Sequence, residues 1–138
     1  MMSEQASILD DSVLKKIAAS ITHNPTTMTM EALNQSYGYV LYRFLFTISE
    51  EKYITCTFDN RTTLTTGPLF NAQLSIQGFG DRANVFVDGN YVGVLQRDTL
   101  PWSLPITVNT QQARLDIIVE NMGRIEFGNS SGKITTLT

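Results

Sequence analysis

Cysteine and histidine occur once each, as Cys56 and His23, in a chain of 138 residues. A lone cysteine forbids an internal disulfide, and one thiol with one imidazole cannot supply the ligand set of a zinc centre. A Cys/His nucleophile pair is also disfavoured, because Cys56 lies in strand-like residues 53–58 and His23 in a separate loop-like stretch. Cys56 reads as a structural thiol. No metal site and no cofactor are expected, although loop carboxylates and carbonyls leave a calcium site open.

Charge is sparse as well: 17% of residues are charged, the net charge is -3, and the acids are scattered rather than in runs. That leaves no electrostatic footprint for a phosphate backbone or an anionic membrane, so neither nucleic acid nor a membrane is expected as a partner. No apolar run is long enough to cross a bilayer, and Met1-Met2-Ser3-Glu4-Gln5 has neither the basic flank nor the apolar stretch of a secretory signal. A soluble chain is expected, cytoplasmic as it stands. Glycine-rich phosphate loops are missing too: Gly78-Phe79-Gly80 lacks the third glycine and the following helix, and reads as a β-turn. There are no internal repeats or low-complexity segments. The sequons beginning at Asn34, Asn60 and Asn129 suit a glycosylated parent, but such triplets arise by chance in a chain rich in Asn, Ser and Thr.

What is present is an apolar complement of 42%, in a length sufficient for one domain with its own core. Over residues 8–21, Val13, Leu14, Ile17, Ala18 and Ile21 recur at helical steps and Asp10 and Asp11 favour a helix start. One amphipathic helix is expected there, ended by His23-Asn24-Pro25. An extended connector follows over residues 26–30, and residues 30–35 allow a helical turn. From Tyr37 onward the pattern changes to period two with β-branched and aromatic residues. Strands are expected at residues 37–46, 53–58, 70–76, 83–87, 91–95, 103–108, 113–120 and 134–137. Asp88-Gly89-Asn90 supplies the positive-φ residues of a tight hairpin, and Ile118 on the polar side of its strand points to a strand covered on both faces. The fold class is all-β, an antiparallel sandwich preceded by one helix, with residues 1–27 as helix and connector and 28–138 as the sandwich.

A glycosidase needs two carboxylates at a set separation. Glu50 and Glu51 fall in a polar turn, and Asp59, Asp81, Asp88 and Asp98 at strand ends, where solvated and turn-forming roles suffice. No catalytic residue is assigned. Asp81 and Arg82 at the start of one strand, and Glu120, Asn121 and Arg124 at the end of another, form a polar motif near the core. Such groups must be paired, so Glu120 and Asn121 are read as serving loop backbone and Arg82 or Arg124 as bridging to a carboxylate. Sugar sites combine an aromatic platform with hydrogen-bonding neighbours, which makes Trp102, with Gln96, Arg97 and Asp98, the candidate carbohydrate-binding group. The alternative, Trp102 packed on the core edge beside Pro101, is the favoured reading of that residue.

Four stretches carry a resemblance: Met28 to Arg43 (MTMEALNQSYGYVLYR), Asp81 to Gly89 (DRANVFVDG), Val92 to Arg97 (VGVLQR) and Leu115 to Arg124 (LDIIVENMGR). In this order and near this spacing they resemble the non-catalytic β-domain of family 35 β-galactosidases. The resemblance implies a jelly-roll sandwich of the galactose-binding-like type that follows a TIM barrel, and a barrel, absent from these residues, that holds both catalytic glutamates. It implies that residues 8–21 correspond to the connector leaving the barrel, that Gln96 and Arg97 lie toward the sugar pocket, and that a parent enzyme is secreted or lysosomal. The match departs after Gly123-Arg124, where Ile125-Glu126-Phe127-Gly128 replaces the family's asparagine and tyrosine before glycine. The expectation is an accessory domain, not itself an enzyme, that packs on a catalytic barrel and shapes its entrance. An exposed apolar patch and a tendency to self-associate should accompany it. The competing expectation is an independent galactoside-binding module.

Overall fold

The computed structural model describes residues 6–23, 28, 30, 32–34, 37–47, 54–57, 62–66, 71–76, 82–98, 101–108 and 110–121, with backbone alone at 54–57, 62–66 and 121. Among the described residues the helix α1 (Asp11–Ile17) precedes eight strands: β1 (Gly38–Thr47), β2 (Ile54–Thr57), β3 (Thr62–Thr66), β4 (Asn71–Ile76), β5 (Arg82–Val87), β6 (Asn90–Gln96), β7 (Ser103–Thr107) and β8 (Gln112–Asn121). They form two four-stranded sheets, a front sheet in the order β1-β8-β5-β6 and a back sheet in the order β2-β3-β4-β7. Every pairing is antiparallel. This is the all-β sandwich that the period-two pattern implies.

The alternation of side chains builds the core. Ala72, Leu74 and Ile76 of β4, Ala83, Val85 and Val87 of β5, and Ala113, Leu115, Ile117 and Val119 of β8 all point inward and are buried, joined by Tyr42, Phe46, Ile106 and Met30. Each buried valine, leucine or isoleucine of this layer stabilises the fold by about 1.5–3 kcal/mol, so the inter-sheet layer dominates stability. Tyr42 satisfies its buried hydroxyl by donating to the Met28 carbonyl at 2.8 Å. Gly93 faces the back sheet where space is tight: a Cβ there would lie 3.0 Å from Leu104 Cδ1.

Asp88 and Gly89 take φ values of 48° and 82°, the double positive-φ geometry of a two-residue hairpin that matches strand twist. The turn also docks on β8, since Asp88 N–H donates to Arg114 O and Arg114 N–H donates to Asp88 Oδ1 at 2.8 Å. The β5–β6 register shifts between Val85 and Phe86, leaving Val92 as the extra residue of a bulge.

Two expectations need correction. The helix spans residues 11–17 rather than 8–21: Ala18 is extended (φ −69°, ψ 130°), α1 buries none of its residues, and Ile17 and Ile21 are exposed. Without apolar packing on its later turns, so short a helix has nothing to extend it. The threonine-rich β3 was not expected as a strand, because its one apolar residue, Leu64, gives no alternation to read. The strand expected at residues 134–137 lies outside the described residues, as does the connector expected over residues 26–30 except for residues 28 and 30. Among the described residues, no helix is long and apolar enough to cross a membrane.

Candidate functional site

The outer face of the front sheet holds most of the polar chemistry among the described residues. Register places Tyr39, Glu120, Arg82 and Gln96 in one row across β1, β8, β5 and β6. The next row is Leu41, Ile118, Asn84 and Val94, the third is Arg43, Asp116, Phe86 and Tyr91, and the fourth pairs Leu45 with Arg114.

The third row contains the only described charged residue that is fully buried, Asp116, at 0% exposure. A buried carboxylate persists only when paired. Arg43 donates from Nε to Oδ1 at 2.6 Å and from Nη2 to Oδ2 at 3.2 Å, a bidentate fork. Arg114 Nε stands 2.9 Å from Oδ2, but its N–H finds no hydrogen-bonding direction, so this second contact is an attraction of charges. The Asp116 hydrogen bonds, ahead of the opposing effect of burial, raise Arg43 above the ordinary arginine value. Arg43 also donates from Nη1 to Asp11 and from Nη2 to the Leu9 carbonyl, which ties residues 9–11 to this face.

In the first row Tyr39 donates its hydroxyl to Glu120 Oε1 at 3.1 Å, and that bond, with the carboxylate charge next, raises the Tyr39 pKa. Glu120 therefore serves a side chain of β1, a partner that the sequence did not indicate. Arg82 stands directly opposite it on β5, near enough for its charge to act on Tyr39. The Asn121 side chain, Asp81 and Arg124 lie outside the described side chains.

The candidate carbohydrate group gathers at one corner. Gln96 is exposed at the end of β6. Arg97 Nε and Asp98 Oδ1 are 3.5 Å apart in the turn that follows, and Trp102 donates its indole N–H to the Arg97 carbonyl at 3.2 Å. Trp102 is only partly exposed and packs against the core. One side of its ring thus rests on the core and its polar tip is held by the Arg97 carbonyl, while the residue stays partly exposed.

A shallow groove of about 490 Å³ at the other end of the front sheet is lined by Leu45, Phe46, Thr47, Asp88, Gln112, Ala113 and Arg114. Among its described lining residues the carboxylate is Asp88, which already accepts the Arg114 N–H. Among the described residues no cluster of three metal-ligating side chains forms.

The residue that sequence reasoning missed is Asp116, with its partner Arg43. The signal was available: Arg43 is the sole charge in β1, and Asp116 lies beside Ile118 on the polar side of a strand that reads as covered on both faces. A buried acid there requires a cation from a neighbouring strand.

The apolar members of this face are conspicuous. Tyr39 is 63% exposed, Leu45 79% and Tyr91 59%, with Ile8 and Ile17 of the N-terminal segment also exposed. Phe86 packs edge-on against Tyr91 at a centroid distance of 5.5 Å.

Comparison with known proteins matches residues 27–138 to the family described as the first all-β domain of β-galactosidase. A β-galactosidase-1-like protein of Mus musculus is 35% identical over 108 residues, covering 78% of this chain and 14% of that protein. A β-galactosidase of Xanthomonas manihotis is 34% identical over 103 residues, covering 75% of this chain and 14% of its own length. A β-galactosidase of Homo sapiens is 35% identical over 120 residues, at 80% and 14%. The chain thus spans about one-seventh of the length of the curated relatives that it matches.

Proposed function

The chain belongs to the family of the first all-β domain of β-galactosidases, and from that membership we propose that it is an accessory domain that docks on a catalytic barrel. Hydrolysis in this reading is the work of the barrel, and this domain contributes position rather than a catalytic carboxylate. The docking surface is the outer face of the front sheet, and the observation that carries the reading is the exposure of Tyr39, Leu45 and Tyr91 on that one face. Apolar residues exposed singly need no explanation, but three on one sheet face, Tyr39 and Leu45 on β1 and Tyr91 on β6, are what this reading assigns to the interaction surface. Tyrosine suits such a surface because its ring is apolar and its hydroxyl tolerates water.

The 96–98 corner is the part that shapes the substrate entrance. Gln96, Arg97 and Asp98 are exposed polar groups that reach beyond the sheet, whereas Trp102 braces the loop from beneath. A galactoside-binding module would instead present the Trp102 ring to solvent.

Titrating galactose and lactose into isotopically labelled chain, followed by chemical-shift changes, tests the assignment. The docking reading expects no saturable shifts without the barrel. Saturable shifts clustered on Gln96, Arg97, Asp98 and Trp102 would establish the sugar module and overturn it.

A further inference from the structure

We propose that residues 7–17 form a detachable strap, latched across the outer face of the front sheet by Arg43. Among the described residues, every side-chain polar contact between residues 6–23 and the sandwich runs through that one guanidinium, to the Leu9 carbonyl at 2.6 Å and to Asp11. The apolar hold is also narrow: Leu9 alone in the segment is buried, with Val13 and Leu14 of α1 half-buried.

Leu9 and Ile118 are both buried, yet neither belongs to the inter-sheet core. Ile118 sits one row from Arg43 on the outer face, and Leu9 carries the carbonyl that Arg43 holds, so the strap as proposed seats Leu9 over Ile118. The sheet side of the latch is complete without the strap, because Arg43 keeps its fork on Asp116 and Asp116 keeps Arg114 beside it. Detachment therefore costs the sandwich no buried ion pair. It bares Ile118, which lies on the same face as the exposed Tyr39 and Leu45, and so enlarges the apolar face. The strap is a cover for that face that is built into the chain.

The test uses the chain alone and needs no barrel, so its failure is distinct from failure of the docking reading. Trypsin cleavage after Lys15 and Lys16, both exposed in α1, reports strap opening, and thermal melting followed by Trp102 fluorescence reports the sandwich. In Leu9→Ala/Asp11→Asn, cleavage at these lysines should accelerate about tenfold or more, with the melting midpoint unchanged, as for a locally opening unit. Arg43→Met should accelerate it too. If that variant melts early through its effect on Asp116, the double variant decides. Unchanged cleavage in the double variant, or a midpoint that falls in step with faster cleavage, would overturn the proposal.

Discussion

Arg43 and Asp116 face each other in register across β1 and β8, joined by a fork of 2.6 and 3.2 Å on the outer side of the front sheet. Because Asp116 is wholly buried and serves two arginines, Asp116→Ala should destabilise the domain by about 3–5 kcal/mol, the usual result of stranding buried charge. Removing Arg43 and Asp116 together by leucine substitutions should cost less than the sum of the single changes. Urea unfolding of the four proteins of that cycle measures the difference.

Tyr39 should titrate above the ordinary tyrosine value of about 10, because its proton is held by Glu120. The sign follows from linkage. A folded pKa above the unfolded one gives a stabilisation that is complete below the unfolded value and lost as pH rises through the folded value. In Glu120→Ala the Tyr39 titration, followed by its ring carbon resonance, should move back toward the ordinary value.

Gly93→Ala places a methyl 3.0 and 3.2 Å from the two Leu104 methyls. Leu104 is only partly buried, so its methyls can give way, and a loss of about 1 kcal/mol, the low end for overpacking, is expected. Trimming the neighbour in Gly93→Ala/Leu104→Val should recover part of it, as read from the urea midpoints.

Trp102→Ala removes a half-buried ring and the hydrogen bond that closes residues 97–102. A fall in stability of about 2–3 kcal/mol is expected, somewhat below the value for a fully buried aromatic. Calorimetry with galactose before and after the substitution should show no difference.

How far the fold could be read in advance depended on whether a segment's burial left a pattern. Strands β4, β5 and β8 alternate or run apolar because one or both faces are covered, and they stand where the period placed them. The Asp88-Gly89 turn was legible because few residues other than Gly, Asn and Asp tolerate its two positive φ values. β3 was not, since threonine favours strands without saying which face is buried. The helix was overread because Ile17 and Ile21 recur at helical spacing while contacting no core. For the candidate site, the sequence indicated Glu120 and Arg82 as polar groups in need of partners, but not that register would set Arg82 opposite Glu120 and give Glu120 the hydroxyl of Tyr39. Asp116 escaped notice because its partner is 73 residues away along the chain. Only strand pairing brings the two together.

The most direct test of the docking account is a hybrid enzyme in which residues 27–138 replace the matched segment of the Xanthomonas manihotis β-galactosidase. The measurement is the half-life of its galactosidase activity at elevated temperature, with and without Tyr39→Asp, Leu45→Asp and Tyr91→Asp together. If the outer face of the front sheet seats this domain on the barrel, three buried carboxylates should shorten that half-life about tenfold or more. Equal half-lives for the hybrid and its triple variant would contradict the account.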